Sequence, residues 1–132
     1  MDKTKICGLV EHSSSLTFDA AIERLVKAVE SAGMTVFATI DHAANARQIG
    51  MVMPPTTVLV YGSPKGGTPI MLDTPLAALD LPLRVLVRET ESGTVMIAFH
   101  PVSVMFEAIG VPQDVSARLE PAQRLLLTAI AI

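Results

Sequence analysis

Apolar positions recur at two spacings along this chain, and the switches between them outline the elements. Phe18, Ile22, Leu25 and Val29 are four, three and four residues apart, which gathers them on one face of an α-helix. Thr17 is placed to cap that helix, Asp19 suits its positive end, and Gly33 suits the C′ position beyond it. Glu23 and Lys27 form an oriented i,i+4 pair on the outer side. Before this helix, Lys5 to Glu11 alternate loosely and read as a first strand. After it the period returns to two, with Met34, Val36, Ala38 and Ile40 on one face and Thr35, Phe37 and Thr39 on the other.

Asp41 then caps a short helix, His42 to Ile49, closed by Gly50. Pro54-Pro55 bars helix and ladder alike, so Met51 to Pro55 is an extended loop. Thr56 to Tyr61 is β-branched and nearly all apolar, the pattern of a central strand buried on both faces. Gly62 to Gly67 reads as an irregular loop, and Thr68-Pro69 and Thr74-Pro75 as the starts of two brief helical turns. Pro82 opens a strand with Leu83, Val85 and Val87 on one face and Arg84, Leu86 and Arg88 on the other. Glu91-Ser92-Gly93 turns the chain back into a partner strand, Thr94 to Phe99. Pro101 to Ile109 forms a short helix ended by Gly110, and Pro121 starts a closing helix that runs to about Ala131. Grouped strands with helices at the ends predict an α+β domain with a largely antiparallel sheet, and the lack of strict βαβ alternation argues against a doubly wound nucleotide fold.

Composition narrows the class. The 132 residues are 50% hydrophobic and 17% charged, with a mean hydropathy of +0.48, so a disordered chain is excluded. The length fits a single domain, residues 1–132, with a core that needs no staples. Ten Lys and Arg against thirteen Asp and Glu give −3, so nucleic acid and anionic membranes are not expected partners. No apolar run reaches membrane-span or signal-peptide length, which makes the expected location cytoplasmic.

Candidate chemistry is sparse. Lys65 precedes Gly66-Gly67 where a Walker A loop needs it to follow, so Gly62 to Thr68 is no P-loop. Anion capture by exposed backbone N–H groups next to Lys65 and Thr68 stands against the plainer reading of a glycine-dependent turn. His42 and Asn45 share a face, and His42 is either an acid, a base and a ligand donor or a packing residue beside the Asp41 cap. Asp80 and Arg84 either hold a turn as an ion pair or present Arg84 to an acidic ligand. His12, His42 and His100 lie on separate elements without metal-binding spacing, so neither a metal nor another cofactor is expected. Cys7 has no activating neighbour and reads as an inert thiol, and Ser13-Ser14-Ser15 as a polar loop.

Three segments together resemble a known family. They are Ile40-Asp41-His42-Ala43-Ala44-Asn45-Ala46, then Tyr61-Gly62-Ser63-Pro64-Lys65-Gly66-Gly67-Thr68-Pro69, then Leu79-Asp80-Leu81-Pro82-Leu83-Arg84. In this order and spacing they are similar to the bacterial and archaeal domain of unknown function 302, from about Val10 to Phe106. Ser63 stands where asparagine is expected, Tyr61 where phenylalanine is commoner, and Arg88 where an aromatic is frequent. The resemblance implies a β-α-β4-α domain of TATA-binding-protein-like topology that often forms homodimers. It implies no activity, and sharing a fold with DNA-binding proteins carries no function.

Two readings follow. In the first, a small ligand, anionic in its sharper form, sits in a cleft built by His42, Asn45, Lys65, Gly66, Gly67, Thr68, Asp80 and Arg84, with catalysis left open. In the second, the same loops serve folding alone and the chain is a non-catalytic assembly domain. A homodimer is expected in either case. Leu125, Leu126, Leu127, Ala129, Ile130 and Ile132 encircle the last helix, so its surplus apolar surface, or else an edge strand, would form the interface.

Overall fold

The computed structural model describes residues 8–131. Strand β1 (Val10–Ser14) leads to helix α1 (Phe18–Ser31), then to β2 (Thr35–Asp41) and α2 (His42–Gln48). Strand β3 (Thr56–Gly62) runs into α3 (Pro64–Asp73) and a 3-10 turn, Pro75–Asp80. Strands β4 (Leu83–Glu89) and β5 (Val95–Phe99) form a hairpin, and α4 (Val102–Glu107), α5 (Gln113–Ser116), a 3-10 turn at Ala117–Leu119 and α6 (Glu120–Ile130) complete the chain. The expected β-α-β4-α order is therefore present, with short helical inserts. All strand pairs are antiparallel and the order across the sheet is β1-β5-β4-β3-β2.

Local signals place most boundaries. Thr17 Oγ1 accepts from the Ala20 N–H at 3.2 Å and Asp41 Oδ1 from the Ala44 N–H at 2.9 Å, so both expected caps are made. Gly33 and Gly50 follow α1 and α2 with φ of 81° and 77°, a conformation that costs other residues energy. Glu23 and Lys27 do not meet; the ion pairs among the described residues are Arg88–Glu11 and Arg124–Glu120. An exposed i,i+4 pair gains too little in water to fix its geometry.

Strand register sorts the sheet into two unlike faces. Tyr61 pairs with Leu83, Leu59 with Val85, and Thr57 with Val87, which in turn pairs with Ile97. These residues are buried beneath α1, α3, α4 and α6, in one core cluster with Leu25, Ile70, Phe106 and Leu126. On the other face Ile40, Val58, Leu86, Ala98 and Glu11 form one transverse row. Val60 and Arg84 lie beside it on one side, Arg88 and Met96 on the other. Ile40, Val58, Val60, Leu86 and Met96 belong to no part of the core cluster.

Several expectations change. β3 is interior to the sheet yet buried on one face only, because the helices stack on a single side. The β2 alternation breaks at Phe37, where a bulge puts Val36 opposite Tyr61 but Ala38 opposite Val60, on the other face. Ser13 and Ser14 belong to β1 rather than to a loop, since that strand pairs from Val10↔Phe99 to Ser14↔Val95. Cys7 lies outside the described residues. Of the apolar sleeve of α6, Leu126 and Ile130 are buried and Leu125, Leu127 and Ala129 are half-buried against the core, while Ile132 lies outside the described residues.

Candidate functional site

At the end of β3 the chain passes from Gly62 straight into α3. Pro64 occupies the first turn, where its fixed φ suits a helix and its missing N–H leaves no bond unmade. The Gly66 and Gly67 N–H groups both donate to the Ser63 carbonyl, at 3.1 and 3.0 Å. The expected loop of free amides ahead of Thr68 is therefore a helical turn, and Pro69 lies inside the helix. Both glycines sit close to distant segments without being required by them: a Cβ on Gly66 would stand 3.5 Å from Leu119 Cδ2 and one on Gly67 3.5 Å from Leu81 Cδ1, ordinary contact distances.

Between α3, the start of β4 and the start of α6 opens a groove of about 610 Å³. Lys65, Gly66, Gly67, Thr68 and Met71 line it from α3, and Arg118, Leu119, Pro121, Ala122 and Leu125 from the 3-10 turn and α6. Leu81, Pro82 and Leu83, at the start of β4, and Ala32, Met34 and Phe37, around the start of β2, complete the lining. The size is that of a small-molecule site. Among the described residues no Asp or Glu lines it, and its two charged residues there, Lys65 and Arg118, make no ion pair. Both are exposed at the rim. Lys65 sits in the first turn of α3, where the helix dipole is positive and a lysine is locally unfavourable.

Two buried polar side chains fix the wall that α6 contributes. The Tyr61 hydroxyl donates to the Ala122 carbonyl at 2.8 Å, and burial pushes its pKa well above the usual phenol range. Gln123 is 3% exposed. Its Oε1 accepts from the Val102 N–H at 3.0 Å and its Nε2 donates to the His100 carbonyl at 2.8 Å, which clamps α6 to the entry of α4.

The fold and the three signature segments meet in one known group. Residues 10–131 match the family described as Domain of unknown function DUF302. The chain belongs to this family. A solved member, the uncharacterized conserved protein DUF302 from Bacillus stearothermophilus, superposes with a TM-score of 0.81 at 16% identity. The similarity covers 95% of this chain and 97% of that one, and it shows the shared fold. Among curated relatives, the Fluoride-specific ion channel FluC 1 of Brucella suis biovar 1 (strain 1330) is 34% identical over 113 residues, 84% of this chain and 44% of that protein. FluC 2 of Brucella melitensis biotype 1 is 34% identical over the same length, 42% of its own. The chain thus spans less than half the length of these relatives.

Half of the expected ligand set lines the groove, and half does not. Lys65, Gly66, Gly67 and Thr68 do. His42 and Asn45 ride on α2, which begins beside Thr57, roughly 17 Å from Gly62 along β3. Asp80 is half-buried at the end of its 3-10 turn and Arg84 is exposed on the open face of the sheet; the two do not pair. The strand twists Arg84 away from the loop that holds Asp80, because it alternates with the buried Leu83 and Val85. Arg118 was not legible as a site residue: it lies in a 3-10 turn some fifty positions from Lys65. The DUF302 departures have structural partners of their own. Tyr61 gains the Ala122 carbonyl, Arg88 reaches Glu11 at 3.3 Å, and Ser63 is the α3 N-cap residue, its side chain making no capping bond.

Proposed function

We propose that this chain is a binding module that takes a small anionic ligand in the groove between α3 and the start of α6. One observation carries the reading: a groove of about 610 Å³ whose charged residues are two cations and no carboxylate. A built site of this size on a rigid sheet is the place where ligands bind. Among the described residues its lining holds no His, Cys, Asp or Glu, and the proposal is confined to binding. The curated relatives are named for fluoride conduction, and we propose that the region shared with them serves binding. Among the described residues no helix is long and apolar enough to cross a membrane. A thermal-shift screen of metabolite anions tests the reading, since a ligand at 100 times its Kd adds about 2.7 kcal/mol to stability. Hits should vanish in Thr68→Trp, which fills the groove from its wall. Hits that survive that change, or a flat screen, refute the groove.

A second reading, assembly as a homodimer, is supported by the open face of the sheet. Antiparallel sheets that meet water on one side carry polar residues there, whereas this face presents Ile40, Val58, Val60, Leu86, Ala98 and Met96. Five strands about 4.8 Å apart and about 20 Å long give a face of roughly 400–500 Å² in projection. Glu11 and Arg88 pair on it, and Arg84 is exposed on it. A second copy packed face to face about a twofold axis would cover this apolar face. Sedimentation at micromolar concentration should return twice the 14.0 kDa chain mass, and Leu86→Arg should halve it. A single-chain mass for the unchanged protein, or a dimer that survives Leu86→Arg, defeats this reading.

A further inference from the structure

We propose that the groove ligand is an amphiphile with one anionic head, held at the Lys65–Arg118 rim, and an unbranched apolar body that lies against the apolar lining of the groove. The inference rests on the groove being the binding site and adds the class of ligand.

Two placements support it. Gly66 packs against Leu119, the hypothetical Cβ being 3.5 Å from Leu119 Cδ2. Their chain neighbours Lys65 and Arg118, which both line the groove, therefore flank the same junction. The rest of the lining is mostly apolar, with Met34, Met71, Leu81 and Leu125 among it. The groove thus joins a pair of cations at one junction to an apolar trough.

Chemistry excludes the simpler occupants. An inorganic anion would satisfy the two cations but leave the trough of Met34, Met71, Leu81 and Leu125 bare. A neutral hydrocarbon would fill the trough and leave the cations unused. A cationic amphiphile would meet two like charges with no carboxylate to offset them. Only a ligand with both parts uses both features, and the arginine fork matches a carboxylate or phosphate oxygen pair. The methionines at 34 and 71 are flexible enough to follow a bending chain. An anionic head also relieves the lysine placed against the positive end of α3.

Dodecanoate, dodecyl phosphate, dodecanol and acetate, titrated by calorimetry below micelle-forming concentrations, test the proposal. Dodecanoate should bind at least tenfold tighter than dodecanol, and acetate should not bind. Dodecyl phosphate decides which oxyanion head is preferred. In Lys65→Gln/Arg118→Gln, two exposed substitutions, the preference over dodecanol should disappear while dodecanol affinity stays unchanged. Equal binding of dodecanol to the unchanged protein, a preference that survives the double substitution, or no binding by either charged amphiphile overturns the proposal. The last outcome leaves the groove reading standing if another anion stabilises the protein but not Thr68→Trp, and removes both if none does.

Discussion

The hydroxyl of Tyr61, on the core face near the end of β3, reaches the carbonyl of Ala122 on α6 across 2.8 Å. A phenol at the end of β3 thereby sets the distance between sheet and helix where the groove opens. Tyr61→Phe removes the bond and keeps the ring, so it should lower unfolding free energy by about 1 kcal/mol. Urea denaturation measures this directly. A loss of more than twice that amount would mean that α6 has shifted, which ligand affinity would also report.

The same residue gives the protein an alkaline limit. Burial raises the folded phenol above its ordinary value near 10. Below about pH 10 the folded and unfolded chains both keep the proton, and stability is indifferent to it. Above that pH the unfolded chain releases its proton first, so it is favoured and stability falls as pH rises. Melting temperatures between pH 9 and 11 should therefore decline in the native protein and decline less in Tyr61→Phe.

Gln123 joins α6 to the entry of α4 through two hydrogen bonds at a site 3% exposed. Gln123→Leu keeps the volume but leaves the Val102 N–H and the His100 carbonyl without partners. A loss of about 2–3 kcal/mol is expected from a buried donor and acceptor both left unpaired, read as a lower denaturant midpoint at unchanged slope.

Asp41→Ala removes the cap on α2 and should cost about 1 kcal/mol. His42→Ala, at an exposed position beyond the groove, should change stability little and groove affinity not at all. A drop in affinity for His42→Ala would place α2 back at the binding site.

Gly66 lies in the first turn of a helix, and a Cβ there meets Leu119 at ordinary van der Waals distance. Gly66→Ala should stabilise the fold by about 0.5 kcal/mol through the unfolded chain's lost freedom. Thermal unfolding tests the sign.

How far the sequence reads true depends on whether a signal is local. The Thr17 and Asp41 caps, the glycines after α1 and α2, and the alternation of Leu83, Val85 and Val87 lie within a few residues of what they determine. All of them appear in the structure. The start of α3 does not read locally: Gly66-Gly67 favours a loop, yet in the fold both glycines close a helical turn on the Ser63 carbonyl, beside Leu119 and Leu81 from distant segments. The single-sided burial of β3 likewise follows from α1, α3, α4 and α6 sharing one core beneath them, and the bulge at Phe37 shows only in the pairing with β3. The groove followed the same rule. Lys65 to Thr68 were visible as one polar, glycine-rich segment, while Arg118 joins them only through the Gly66–Leu119 contact.

Strand β1 closes the sheet against β5, and Ser14 ties its end to the Ile130 carbonyl at the far terminus of α6. The first elements of the domain therefore find their partners among its last. During synthesis β1 has no ladder before β5 is made and α1 has no cover before α6, so neither completes its contacts early. Long-range closures of this kind slow folding and leave apolar surface waiting. Emergence of α6 is then the event that covers the first helix, and a nascent chain arrested before α6 should expose the apolar face of α1 to chaperones.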